Sequence, residues 1–146
     1  MQVITRDISS DIQRAWCQTR SMTNGVTRQV RRGPHGHAVV APIPELVGRL
    51  RTVLGRDVLA FLVKRTPRAV TRWVAGEAEP PAREEVLLRD AFQITQVLSE
   101  VEPDEVIRAW FMGMNPQLGD ESPVETLREG RVRDVMAAAR AFVNAG

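Results

Sequence analysis

From Pro44 onward the apolar residues recur at helical spacing, and glycine or proline closes run after run of them. No other property of the chain limits its possible folds as strongly. Leu46, Leu50, Val53 and Leu54 share one helical face before Gly55, and Val58, Leu59, Leu62 and Val63 repeat the pattern in a shorter segment. Thr66 then stands where an N-cap belongs. Pro67 follows at the first helical position, where its missing N–H costs nothing. This third segment stops at Gly76, and "EAEPP" cannot continue a helix. Leu87, Ala91, Ile94, Leu98 and Val101 fall at i, i+4, i+7, i+11 and i+14, which predicts a helix of about five turns. "PDEVIRAWFMG" predicts another helix and "MNPQLGDES" a turn-rich loop. Ser122 and Glu125 make the capping-box pattern "SPVE", and Gly130 closes that short helix. Val132, Val135, Met136, Ala139, Phe142 and Val143 mark a last helix. No strand pattern follows residue 44, so the expected fold class is all-α. Just before it, "HAVVAPIP" reads as a short strand or as the lead-in to the first helix.

The chain of 146 residues, 43% of them apolar, is large enough to bury a real core. Its net charge of +2 hides an asymmetry. Residues 1–75 hold thirteen Lys/Arg against four Asp/Glu, whereas residues 76–146 hold seven against fourteen. The first part suits a polyanion; the second would be repelled by one. Residues 1–40 are the least patterned. They are basic and broken by Asn-Gly and Gly-Pro turn signals, with a short helix possible through "SSDIQRAWC", and are expected to form a flexible arm. Its "RQVRR" is either a DNA-following arm or a tail.

The third helical segment, "TPRAVTRWV", has two distinct faces. At 100° per residue Val70, Trp73 and Val74 cluster in a narrow arc suited to packing, with Arg68 and Arg72 opposite. Arg65 leans the same way, and Thr71 flanks the arginines. Three short helices with a tight connection suggest helix-turn-helix geometry, in which the second helix of the pair enters the major groove. Arginine is the side chain best matched to guanine O6/N7. A solvated helix face would also carry arginines. The cap, the short preceding helix, the basic half-chain and the absence of acids between Asp57 and Glu77 favour DNA instead. The candidate DNA contacts are Lys64, Arg65, Thr66, Arg68, Thr71 and Arg72.

The stretch "LVKRTPRAVTRWVAGEAEP" resembles the Xre/Cro-type helix-turn-helix. The more discriminating "AWFMGMNPQLGDESPVETLREGRVRDV" resembles the C-terminal domain of Xre/MbcA/ParS-type antitoxins, matching it at Trp110, Asn115, Pro116, Leu118, Gly119, Pro123, Leu127 and Gly130. Together the two stretches cover about residues 44–146; the arm is not explained by them. The resemblance implies a helix-turn-helix over 41–80 and a helical toxin-binding or oligomerisation domain over 81–146. It also implies an antitoxin that neutralises an NAD-consuming RES-domain toxin and represses its own operon, as a homodimer or as a hetero-oligomer with the toxin. On the same ground the toxin contacts would be sought at Asn115, Pro116 and Gly119 and at Arg128, Arg131, Arg133, Arg140 and Phe142. Asn115, Pro116 and Gly119 would equally serve simply to shape a turn, and Phe142 to fill a core.

Nothing in the chain points to catalysis. The nucleotide-binding, zinc-protease and serine-hydrolase signatures are missing, and Cys17 has no identifiable base beside it. His35 and His37 lack further ligands at zinc-site spacing and read as a surface loop. The acids of "REE", Glu84 and Glu85, are expected on an exposed helix face. No cofactor or metal is implied. No apolar run approaches the ~20 residues a membrane helix needs. With no secretory signal at the start and one cysteine, a cytoplasmic location is expected. The alternative is a stand-alone, phage-type repressor whose C-terminal domain dimerises.

Overall fold

The computed structural model describes residues 41–145. The expectations for the basic arm, the "SSDIQRAWC" helix, Cys17, His35 and His37 lie outside the described residues. Those described form seven α-helices and no strand beyond one isolated bridge, Asn115 to Glu121. The all-α reading holds, and the described end of "HAVVAPIP" leads directly into a helix.

Helix α1 (Ile43–Leu54) starts with Pro44 in its first turn and buries Leu46, Val47, Leu50, Val53 and Leu54. It packs against α2 (Arg56–Leu62), α3 (Pro67–Val74), α4 (Ala82–Leu98) and α5 (Asp104–Met112). Its C-terminal carbonyls are closed from a distance. Arg108 on α5 donates to the oxygens of Thr52 and Val53, each at 2.9 Å, placing a cation where the helix dipole is negative. Thr66 caps α3 by accepting from the Ala69 N–H at 3.3 Å. At its other end Gly76 adopts φ 72°, and Glu77 donates back to the Arg72 oxygen at 3.0 Å. That backbone is costly for a residue with a Cβ, which is why glycine ends this helix.

A 3₁₀ turn (Pro116–Leu118) leads to α6 (Pro123–Arg128) and α7 (Val132–Ala145). The capping box is present: Ser122 Oγ accepts from the Glu125 N–H at 3.4 Å, while Glu125 Oε2 accepts from Ser122 Oγ at 2.6 Å and from its N–H at 3.3 Å.

The core runs without a break across "EAEPP". Leu50, Leu54 and Val70 from before it and Leu88, Ile94, Phe111 and Leu127 from after it are all fully buried in one cluster. Helix α4 forms the spine, packing on both α1 and α7.

Three details depart from the sequence reading. Leu88 rather than Leu87 lies fully buried on α4, and Val101 falls beyond the helix end, 54% exposed. Positions three and four residues before Ala91 are both near its face, and packing against α1 and α7 selects between them. The expectation that Glu84 is exposed is also incorrect: the residue is 9% exposed and takes an ion pair from Arg65.

Candidate nucleic-acid interface and partner face

The sequence of α3 divides the helix as its periodicity predicts. Val70 and Trp73 are buried, and Lys64, Arg65, Thr66, Arg68, Thr71 and Arg72 are all exposed around the head and outer face. Thr66 is engaged in capping, and Thr71 Oγ1 donates to the Pro67 oxygen at 3.1 Å. Among the described residues Arg68 forms no ion pair, and Arg72 reaches Glu77 only at 3.8 Å. Lys64 occupies the turn between α2 and α3 with φ 53°, a left-handed conformation that a lysine adopts only under local constraint.

Arg65 is different. Its Nε and Nη2 both donate to Oε1 of Glu84, at 2.9 and 2.6 Å. The Arg65 guanidinium holds the Glu84 carboxyl below the usual carboxylate range, against the opposing effect of burial.

At the other candidate site the chain makes a tight turn. Asn115 Oδ1 accepts from the Gln117 N–H at 2.9 Å, and the Asn115 carbonyl accepts from Leu118 and Asp120 at 2.9 and 3.0 Å. Leu118 anchors the turn in the core at 3% exposure. Gly119 takes φ 72°, leaving Pro116, Gln117, Gly119 and Asp120 at the surface. The approach to this turn exposes two methionines, Met112 at 58% and Met114 at 81%. Flexible apolar side chains at the surface suit a partner interface. The sequence reading missed both, although two methionines one residue apart and just before a turn were visible in "FMGMNP".

The arginines assigned to partner binding occupy unlike positions. Arg133 and Arg140 lie seven residues apart on the solvent face of α7 and form no ion pair among the described residues. Arg131 is held by Asp134 at 3.0 Å and Glu121 at 2.8 Å, and the hydrogen bond to Asp134, with the charge of Glu121, raises its pKa. Arg128 turns toward α2, its guanidinium carbon 4.4 Å from the Phe61 ring centroid. An open depression between these elements is lined by Lys64, Glu121, Glu125, Arg128 and Glu129. It brings together one candidate DNA residue and one candidate toxin residue. Phe142 is half-buried, its ring centroid 6.2 Å from that of Trp110. No group of three or more His, Cys, Asp or Glu among the described residues could hold a metal ion. No described helix is long and apolar enough to cross a membrane.

No family model matches the chain. It is 29% identical over 76 residues to the mycobacterial cidal antitoxin MbcA of Mycobacterium tuberculosis and of Mycobacterium bovis, over 52% of this chain and 67% of theirs. Its fold matches a chain of the crystal structure of the M. tuberculosis MbcT–MbcA toxin–antitoxin complex with a TM-score of 0.63 and 25% identity, over 73% of this chain and 97% of that one. By sequence and by fold the protein is a homologue of MbcA.

Proposed function

We propose that the protein is the antitoxin of a toxin–antitoxin pair, with two binding activities and no catalytic activity of its own. The observation that carries this reading is its likeness, in sequence and fold, to an antitoxin whose solved structure is a complex with its toxin. The partner is a RES-type, NAD-consuming toxin. The Asn115–Gly119 turn, Met112, Met114, Arg133 and Arg140 are the groups free to meet it. Arg128, Arg131 and Phe142 are further candidate contacts, with Arg131 exposed but already ion-paired to Glu121 and Asp134. Helix α3 reads operator DNA with Arg68 and Arg72, so the protein represses its own operon. It acts in the cytoplasm, as a homodimer or in a hetero-oligomer with the toxin.

Co-expression with the product of the adjacent reading frame tests the first activity. The expected result is a stable complex on size exclusion, rescued growth, and NAD levels restored to those of toxin-free cells. Failure to form a complex, with DNA binding intact, would favour the stand-alone repressor instead. Replacing Arg133 and Arg140 together by glutamate should weaken the complex while leaving the melting temperature of the free protein unchanged.

A further inference from the structure

Arg65 stands immediately before the N-cap of α3, in the turn between α2 and α3, and its backbone N–H donates to the Ala60 oxygen at 3.0 Å. Both its Nε and Nη2 are spent on one carboxylate oxygen of Glu84, nineteen positions away in the first turn of α4. Glu84 is 9% exposed, and yet 47% of the Arg65 side chain meets solvent. A guanidinium has five N–H donors in a rigid fork. Fixing two of them on a buried anion leaves three available on a side chain that can no longer wander.

A free arginine that is immobilised on a ligand loses rotamer freedom. Here the fold has already removed that freedom. We infer that Glu84 is a positioning residue for DNA binding: it holds the Arg65 fork at the head of α3, where the remaining donors contact a backbone phosphate. This rests on the DNA-binding reading of α3. The contact would set the register of the helix on the duplex, leaving base reading to Arg68 and Arg72.

The sign of one substitution separates this role from a bystander's. Glu84 is an acid beside a candidate polyanion site, so removing its charge should tighten DNA binding if charge alone matters. If Glu84 positions Arg65, Glu84→Gln should weaken binding. The probe is duplex DNA from the region upstream of the gene, titrated over a salt series with wild type, Glu84→Gln, Arg65→Ala and the double variant, each checked for melting temperature. We expect about a tenfold loss for Glu84→Gln, on the scale of one arginine's rotamer freedom. Arg65→Ala should flatten the salt dependence by about 0.9 in log–log slope, one phosphate's share. Adding Glu84→Gln to Arg65→Ala should change nothing further. Equal or tighter binding by Glu84→Gln, or full additivity in the double variant, overturns the inference. No salt-dependent binding by wild type would instead remove the DNA-binding reading, and this inference with it. If Glu84→Gln does not fold, Glu84→Asp keeps the charge but shortens the reach, and should weaken binding in the same direction; wild-type affinity there refutes the role.

Discussion

Glu84 keeps its negative charge at a site where 9% of the residue meets solvent, and the Arg65 guanidinium makes that charge tolerable. The pair has a consequence for pH. A carboxyl whose pKa is lower in the folded than in the unfolded chain contributes stability above its unfolded value. That contribution disappears as pH falls through the lower, folded value. Glu84→Gln should therefore lower stability at neutral pH by on the order of 1 kcal/mol, the half-exposed arginine being screened by solvent. It should also flatten the acid limb of unfolding free energy against pH, measured by denaturant titration from neutral pH into the acid range. An acid limb identical to wild type would show that the pair contributes nothing to folding. Asp90 works in the opposite sense: burial pushes its carboxyl up, so ionising it costs stability as pH rises through its folded value.

Among the elements, α3 shows the clearest separation between holding the fold and meeting a ligand. Val70 and Trp73 bury its inner face, and Arg68 and Arg72 extend from the outer one without a close ion pair among the described residues. Replacing both arginines by alanine should leave the melting temperature within about 2 °C of wild type, because exposed substitutions seldom move stability far. Operator affinity should fall by tenfold or more if each arginine makes a bidentate base contact worth ~1–3 kcal/mol. Unchanged affinity in a gel-shift titration would mean that the helix reads DNA through another face, or not at all. The Asn115–Gly119 turn is the opposite kind of element. Its shape is closed by its own backbone and by buried Leu118, so it can present a fixed surface without help from a partner.

For the molecule as a whole, the continuous core matters most. Phe111 and Leu127 belong to the half that resembles a toxin-binding domain, and Val70 and Leu50 to the half that resembles a helix-turn-helix; all four are fully buried in one cluster. Phe111→Ala should thus destabilise the protein by ~3–5 kcal/mol. It should weaken DNA binding as well as toxin binding, although the residue belongs to neither surface. Chemical unfolding followed by tryptophan fluorescence and by far-ultraviolet circular dichroism should give coincident transitions, as for a single cooperative unit. Separate transitions would mean that the two halves fold independently.

Helix position and helix ending were legible in the chain because both are local. Intrahelical hydrogen bonds connect residues four apart, and Thr66, Ser122, Gly76 and Gly130 act within a turn of their own positions. The two faces of α3 followed from the same arithmetic. Tertiary structure alone decided that Leu88 rather than Leu87 enters the core, that Arg108 closes α1, and that Arg128 faces Phe61. It alone placed Glu84 under Arg65, turning an acid expected at the surface into a buried counter-ion. Each of these depends on which helix lies opposite. A pattern with the period of one helix carries no information about its neighbour.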